Sequence, residues 1–321
     1  MGAGSDSVTD GPDAMEERPP PGDGSLLLIV NARRRARHQH ELETFLRQLD
    51  SRYRVTLRTT EYAGHAEQLA RSAGSDFAIV AAAGGDGTVS EVASGLLAGG
   101  ATSLLLPVPF GTGNDLARDL GLRSVSDAAA ALRGGVIRAL DAIEIRCQHG
   151  GGVAVRYSLQ TAGVALGAAV VHRTSDRIKR VFGSRGAYSV GLFLTLLSYR
   201  APRLRIQSAE HRFDNHMLFV SVGNAEWTGG GTMRMSPGAR LDDGRFDVCV
   251  FDTTSKLRVF TCFSHILRGT HIHLPEVTYF PSTDLTVEGE PEAELMVDGE
   301  AFGSTPARFR ALPRAVTVLG L

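Results

Sequence analysis

The sequence lacks a cysteine framework, an excess of either charge and a long apolar run. Its three cysteines, Cys147, Cys249 and Cys262, lie far apart in a chain of 321 residues. Neither disulfides nor a zinc site is therefore expected, and a reducing compartment fits. The formal net charge of −1 gives no overall field for nucleic acid, which is not expected as a partner. The longest strongly apolar run, residues 187–199, is shorter than the about 20 residues that span a bilayer, so we expect a soluble or peripheral protein.

The first 24 residues differ in composition from the rest of the chain. They are rich in glycine, proline and serine, and they carry six acidic residues against one basic residue, Arg18. Such a composition offers too little apolar surface for a core, so a disordered tail is predicted over residues 1–24. No basic start is followed by an apolar run in this stretch, and a secretory signal is not expected.

Residues 25–141 alternate between strand and helix patterns. Short apolar runs that are typical of buried strands occur at residues 26–30, 77–82 and 103–108. Helical patterns follow each of the first two runs, and strands that alternate with helices indicate a parallel sheet with helices on both faces. We interpret this region as a nucleotide-binding α/β domain.

The pattern changes near Asp141. Short alternating segments separated by glycine turns then dominate, which favours an antiparallel β-rich domain over residues 142–312. A single helical insertion is predicted over residues 188–199. Residues 313–321 are predicted to form a last strand that returns to the first domain.

Residues 84–88 read Gly-Gly-Asp-Gly-Thr and lie between a predicted strand and a predicted helix. Free backbone N–H groups and the helix dipole attract phosphate at such a junction, and glycines let the backbone approach the anion. Asp86 could hold Mg²⁺ against phosphates, and Thr88 could cap the helix or donate to a phosphate. The alternative is a tight structural turn, because the spacing matches neither the P-loop nor the dinucleotide-binding fingerprint.

A second glycine-containing loop follows the next strand, at residues 109–115 (Pro-Phe-Gly-Thr-Gly-Asn-Asp). In a parallel sheet both loops lie at the carboxyl edge, where ligands bind in folds of this class. Thr112 offers a hydroxyl and Asp115 a carboxylate. The alternative is a capped helix start, with Asn114 or Asp115 as the N-cap.

Two acidic turns in the second half of the chain are further candidates. Residues 297–300 read Val-Asp-Gly-Glu, which is typical of a hairpin turn, and Glu300 beside that turn could act as a base. Residues 241–244 read Leu-Asp-Asp-Gly, and this acidic pair could bind a hard cation with help from backbone carbonyls. An exposed turn is the alternative for the second motif.

In this order the four motifs resemble the diacylglycerol kinase catalytic family, including its bacterial soluble lipid kinases, over residues 26–300. The first motif is shared with NAD kinases, and the combination with the other three is much more specific. The resemblance implies an NAD-kinase/diacylglycerol-kinase-like α/β domain followed by an antiparallel β-sandwich. It implies an ATP- and Mg²⁺-dependent lipid kinase, with diacylglycerol as the first expected acceptor. Another lipid acceptor, an NAD-kinase-like activity and a non-catalytic lipid-binding protein are the alternatives.

The resemblance also implies a role for particular residues. Glu300 would accept the proton of the lipid hydroxyl, with Asp86 as the second catalytic residue. Asp243 would hold a structural Mg²⁺ together with the main-chain oxygens of Arg240 and Arg245. Asp115 and Asp141 match acidic positions in a network that links the two domains. The residues expected to contact ATP are Asn31, Thr60, Gly84, Gly85, Asp86, Gly87, Thr88, Glu91, Thr112 and Asn114.

The chain departs from the family in the loop after the first strand. Family members usually have Asn-Pro-x-Ser-Gly there, whereas residues 31–37 read Asn-Ala-Arg-Arg-Arg-Ala-Arg. The four arginines could bind phosphate or could form a solvated basic loop.

The expected partners follow from the lipid acceptor. Eight arginines and lysines between residues 173 and 205 flank the apolar insertion, which suits an anionic lipid interface. A core helix with solvated ends is the alternative. We expect a cytoplasmic protein that is peripheral at the inner membrane face, and a homodimer is left open.

Overall fold

Four apolar segments of the first domain form a parallel sheet. The structure, a computed structural model, describes residues 24–49, 51, 53–173, 195 and 198–321. The strands are β1 Ser25–Val30, β2 Arg54–Thr59, β3 Ile79–Gly84 and β4 Leu104–Pro109. They lie in the order β2-β1-β3-β4, and all three pairings are parallel. β1 and β3 are buried throughout, as expected for strands covered on both faces.

Helices connect these strands and complete the first apolar core. The longest, α4, starts directly after β3 and has most of its side chains buried. The predicted α/β domain is therefore confirmed. The helices are α1 Ala32–Arg35, α2 Gln39–Gln48, α3 His65–Ala73, α4 Asp86–Gly99, α5 Asp115–Asp119 and α6 Val125–Gly134.

Two long antiparallel strands, β5 (Val136–His149) and β15 (Glu300–Gly320), join the two halves of the molecule. Near its end β15 also pairs in parallel with β4, where Val318 lies opposite Leu105. The chain thus returns to the first sheet at Val318, and the same strand already begins at Glu300. Asp141 lies inside β5, so the change of sequence pattern falls within a continuous strand.

The second domain consists mainly of antiparallel strands around a core of its own. Its strands are β6 Gly152–Ser158, β7 Thr161–Ala165, β8 Arg203–Gln207, β9 Arg212–His216, β10 Phe219–Gly223, β11 Phe246–Phe251, β12 Val277–Ser282, β13 Asp284–Glu290 and β14 Glu294–Val297. The central order is β12-β11-β10-β7-β14-β15, and β13, β8 and β9 continue from β15. The antiparallel β-rich prediction is confirmed.

The helices of the second domain differ from the prediction of a single insertion. α7 spans Leu166–Arg173 and α8 spans Lys256–Ile266, where Ser255 caps the first turn by accepting a hydrogen bond from the Arg258 amide. The insertion predicted at 188–199 lies, apart from residues 195, 198 and 199, outside the described residues. Within the described part of the chain, no helix has the length and apolar character needed to cross a membrane.

Candidate active site

The two glycine loops meet at the carboxyl edge of the parallel sheet. The amide of Phe110 donates to the carbonyl of Gly84 over 2.9 Å. A Cβ atom on Gly111 would lie only 2.5 Å from the Cα of Gly85, so the two backbones touch. A side chain at this point would separate the loops, and glycine is therefore required for the close approach.

Asp86 joins these loops through its carboxylate. Its two oxygens accept hydrogen bonds from the amides of Asn114 and Asp115, at 2.9 and 2.6 Å, at the start of α5. Burial, and next the charge of Asp115, raise the pKa of Asp86 to about 6, although the two amides act in the opposite direction. The carboxylate is thus engaged in structure, and the predicted Mg²⁺ contact stays a prediction.

Three predicted nucleotide-contact residues lie together beside the first loop. The Asn31 side-chain amide donates to the Thr88 hydroxyl over 3.2 Å, and the Ala32 amide donates to the Thr60 hydroxyl over 3.2 Å. Asn31 follows β1, Thr60 follows β2 and Thr88 lies in the first turn of α4. Parallel strand ends therefore bring these polar side chains to one edge.

Glu91 fixes the loop that follows Thr60. Its carboxylate accepts hydrogen bonds from the amides of Gly64 (2.9 Å) and Ala66 (3.1 Å), at the start of α3. Because both oxygens are used in this way, Glu91 shapes the rim of the site, and a direct ATP contact stays a prediction. Thr112 lies in the second glycine loop, between Gly111 and Gly113.

The arginine-rich segment forms the short helix α1 above the same edge. Asn31 caps this helix by accepting a hydrogen bond from the Arg33 amide over 3.1 Å. Arg35 donates to the Thr59 hydroxyl over 2.7 Å, and the His38 ring stacks on Phe110 at a centroid distance of 5.7 Å. The segment therefore lies against the end of β2, and His38 directly after it lies against the second glycine loop. This holds although the sequence of the segment differs from the family pattern.

Glu300 reaches this edge from the second domain. It follows a turn at Asp298, whose carboxylate accepts hydrogen bonds from the Ser158 hydroxyl (2.6 Å) and the Thr161 amide (3.0 Å). A Cβ atom on Gly87 would lie 2.2 Å from Oε1 of Glu300. The Glu300 carboxylate is therefore in contact with the first turn of α4, directly beside the glycine loop.

Arg156 is a site residue that the sequence interpretation missed. It lies on β6 and is 8% exposed, and its Nη2 is 3.4 Å from Oε2 of Glu300. Partial burial raises the pKa of Glu300, the Arg156 charge opposes this shift, and the charges of Glu91 and Asp298 add to it. A charged residue at an inward-facing position of an alternating strand was the only indication of this role.

The two acids predicted to link the domains make hydrogen bonds between distant segments. Asp115, at the start of α5, accepts a hydrogen bond from the Gly230 amide over 2.9 Å. The Asp141 carboxylate accepts hydrogen bonds from the amides of Gly244 (2.6 Å) and Arg314 (2.7 Å). Each acid therefore ties a loop of the second domain to the first domain or to the long strands between them.

The predicted cation site lies on the loop between β10 and β11. Asp243 is exposed, and its carboxylate accepts a hydrogen bond from the Arg245 amide over 3.1 Å. Burial, and next the charge of Asp243, raise the pKa of Asp247 to about 6, so a cation near both carboxylates would relieve repulsion. No group of three His, Cys, Asp or Glu side chains in the described residues could hold a metal. Mg²⁺ at Asp243 would therefore need the predicted main-chain oxygens of Arg240 and Arg245.

Comparison with known proteins identifies the family. Residues 25–145 match the model of the diacylglycerol kinase catalytic domain. Residues 162–320 match the model of the YegS C-terminal NAD kinase beta sandwich-like domain. The two matches cover the α/β domain and nearly all of the β-rich domain described above.

Two bacterial relatives are similar over most of the chain. A diacylglycerol kinase of Staphylococcus haemolyticus is 30% identical over 267 residues, which cover 83% of this chain and 78% of that protein. A diacylglycerol kinase of Bacillus subtilis is 29% identical over 272 residues, with 83% and 86% covered. The fold is shared with a diacylglycerol kinase structure from Bacillus anthracis (TM-score 0.65, 20% identity), with 93% of this chain and 97% of that chain covered.

The chain belongs to the diacylglycerol kinase catalytic family. The predicted family, the fold class and the assignment as a lipid kinase enzyme are thereby confirmed.

Proposed function

We propose that the protein transfers the γ-phosphate of ATP to the hydroxyl of diacylglycerol, which gives phosphatidic acid. The observation that supports this most directly is the contact between the Glu300 carboxylate and Gly87 beside the glycine loop. A carboxylate from one domain thus faces a phosphate-type loop of the other. The names of the relatives from Bacillus subtilis and Staphylococcus haemolyticus favour diacylglycerol as the acceptor.

The edge of the parallel sheet has the groups that a nucleoside triphosphate needs. Backbone amides at the start of α4 and the glycines beside them would let phosphate oxygens come close to the backbone. The hydroxyls of Thr60, Thr88 and Thr112 add further donors near this edge. Mg²⁺ bound near Asp86 would supply neutralisation of phosphate charge. Asp243 is proposed to hold a separate, structural Mg²⁺.

Glu300 is proposed as the group that accepts the proton. The lipid O–H bond breaks and its proton moves to the Glu300 carboxylate, while the lipid oxygen bonds to the γ-phosphorus. The bond from this phosphorus to the bridging oxygen breaks, and ADP leaves with that oxygen. The raised pKa of Glu300 suits a base, because a carboxyl that holds a proton more tightly is a more effective acceptor.

The acceptor requires access to a lipid surface. We propose a cytoplasmic protein that docks peripherally at the inner membrane face and prefers anionic lipid, as the arginines between residues 173 and 205 suggest. Co-sedimentation with liposomes tests this part separately. Binding that is unaffected by anionic lipid and by substitution of Arg200, Arg203 and Arg205 would refute it.

A different lipid acceptor is the second candidate. A relative from Pseudomonas aeruginosa that carries the name "Probable lipid kinase YegS-like" is 28% identical over 297 residues, with 92% of this chain and 94% of that protein covered. That name favours a lipid kinase without specifying diacylglycerol. Sphingoid bases, polyprenols and phosphatidylglycerol-like lipids therefore belong in the same test.

The test is transfer of ³²P from [γ-³²P]ATP to a panel of these lipids in mixed micelles, and in a parallel reaction to NAD, with chromatographic separation of the products. We expect labelled phosphatidic acid from diacylglycerol, and we expect this label to disappear when Mg²⁺ is chelated. If only another lipid is labelled, that lipid is the acceptor and diacylglycerol is not. Label in NAD alone would support the NAD-kinase-like alternative, and ATP binding without any transfer would support a non-catalytic protein.

A further inference from the structure

We propose that Arg156 is a positioning residue of the phosphotransfer reaction, which holds the Glu300 carboxylate against the first turn of α4. This inference rests on the proposed function, in which Glu300 accepts the proton of the acceptor hydroxyl. Arg156 is not expected to touch either substrate, and it would act through Glu300.

The Arg156 guanidinium is fixed from three sides. Its Nη2 lies 3.4 Å from Oε2 of Glu300, and its Nη1 lies 3.9 Å from Oε2 of Glu67 on α3. Its central carbon lies 5.1 Å from the centre of the Phe302 ring. The planar guanidinium therefore has one preferred orientation, between a helix of the first domain and the start of β15.

The position of Arg156 is difficult to explain by stability alone. Its side chain is 10% exposed, whereas the Glu300 side chain is 49% exposed. Burial of a guanidinium is costly, and a pair with a half-exposed carboxylate offsets little of that cost. The Nε atom of Arg156 is buried without a hydrogen-bond partner among the described residues. A buried charge with incomplete pairing beside a site is more typical of function than of stability.

The geometry shows what Arg156 does for Glu300. A half-exposed glutamate can adopt several rotamers, and the observed one brings Oε1 into contact with Gly87. Arg156 binds the other oxygen, Oε2, so it selects this rotamer without covering Oε1. The positive charge of Arg156 also lowers the pKa of Glu300, whereas the negative charges of Glu91 and Asp298 raise it. Arg156 therefore favours the carboxylate form of Glu300, which can accept a proton.

The test compares Arg156→Met and Arg156→Lys with wild-type protein in the ³²P transfer assay. We expect Arg156→Met to lower kcat about 10- to 100-fold, because a displaced base loses alignment, with a KM for ATP within about threefold of wild type. The acid limb of the kcat–pH profile should move to higher pH in Arg156→Met. Arg156→Lys, which keeps the charge but loses the planar fork, should keep the acid limb near that of wild type and recover part of kcat.

Arg146→Met is the matched control. Arg146 lies on the neighbouring strand β5, is exposed and pairs with Glu144 over 2.8 Å, so its loss should leave kcat and the pH profile unchanged. Thermal unfolding establishes that each variant is folded, and Arg156→Lys decides the matter if Arg156→Met does not fold. In a Glu300→Gln background, Arg156→Met should cause no further loss of kcat, because both changes remove the same function.

The outcomes separate this inference from the proposed function. If the wild-type enzyme is active and Arg156→Met has the same kcat and the same acid limb as wild type, the positioning role alone is overturned. Equal losses from Arg156→Met in the wild-type and Glu300→Gln backgrounds would also overturn it, since Arg156 would then act independently of Glu300. A wild-type protein that phosphorylates none of the lipids would overturn the proposed function as well.

Discussion

Substitution of Gly87 by alanine should separate the stability of the protein from its activity. Gly87 is the second residue of α4, and alanine is favoured over glycine in a helix interior by roughly 0.5–1 kcal/mol. The new Cβ atom would, however, lie 2.2 Å from Oε1 of Glu300. An ordinary heavy-atom contact is about 3.5 Å, so the carboxylate must retreat by more than about 1 Å.

The retreat should cost little stability, because the Glu300 side chain is half exposed and its 3.4 Å ion pair with Arg156 is partly solvated. We therefore expect the free energy of unfolding of Gly87→Ala to stay within about 1 kcal/mol of the wild-type value. Alanine favours the helix more than glycine does, and the displacement of a surface side chain costs little. Activity should respond strongly. A misplacement of about 1 Å at a reacting group can cost on the order of 100-fold in rate, and we expect a loss of kcat of that size.

Urea unfolding, nucleotide binding by calorimetry and the lipid phosphorylation assay together test this expectation. Gly134→Ala serves as control, because Gly134 ends the helix α6 and a Cβ atom there would meet no atom within 4 Å. The reasoning is refuted if Gly87→Ala keeps a kcat within about threefold of wild type. A normal kcat at saturating ATP with a large loss of nucleotide affinity would also refute it, because the alanine would then act on phosphate and not on Glu300.

Three further predictions follow from buried carboxylates and the cation loop. The pKa of Asp86, about 6 in the folded protein against 3.8 as the reference value, means that its contribution to stability is complete below pH ~4 and is lost as pH rises through ~6. The difference in free energy of unfolding, Asp86→Asn minus wild type, should therefore increase by up to about 3 kcal/mol between about pH 4 and 7. Urea titrations at several pH values measure this difference, and a difference that does not change with pH would contradict the prediction. Asp141→Asn should lower the free energy of unfolding by about 2–4 kcal/mol, because an amide nitrogen cannot accept one of the two backbone N–H bonds; a change below about 0.5 kcal/mol in the same titrations would count against that role. Addition of Mg²⁺ should raise the Tm of the wild-type protein, as measured by calorimetry, and Asp243→Asn should abolish this rise. An equal rise in both proteins would exclude Asp243 as a ligand.

Local patterns made the first domain readily predictable. β1 and β3 are short runs of apolar residues that end in polar loops, and this pattern depends only on neighbours in the chain. The two glycine loops were placed on one edge because consecutive parallel strands present their carboxyl ends together. These features need no knowledge of distant contacts.

The long strand β15 was predicted only at its end, for a physical reason. Pro306 and Pro313 resemble strand breakers, but each lies where the pairing of β15 with β5 shifts register, between Ser304 and Ala307 and between Leu312 and Val316. Such irregularities tolerate proline because no ladder hydrogen bond is needed there. The strand therefore continues through both prolines, which a local pattern does not show.

The contact between the two domains was equally beyond the sequence pattern. The motif at 297–300 indicated a carboxylate on a turn, but its neighbours depend on the pairing of β14 with β7 and of β15 with β4. Arg156 was missed for the same reason, since its partners Glu67 and Glu300 lie on distant segments of the chain. Composition and periodicity identify such groups only as polar residues in unusual places.

The most direct test of the central claim is the kcat of Glu300→Gln with saturating ATP and diacylglycerol. Gln keeps the size of the side chain and removes its ability to accept the proton, so we predict a loss of at least about 100-fold. Nucleotide affinity and thermal unfolding should stay close to those of wild type. The control is Glu43→Gln, at an exposed position of α2 where the carboxylate accepts a hydrogen bond from Gln39, which should remain fully active. A folded Glu300→Gln protein with near-normal turnover would contradict the account.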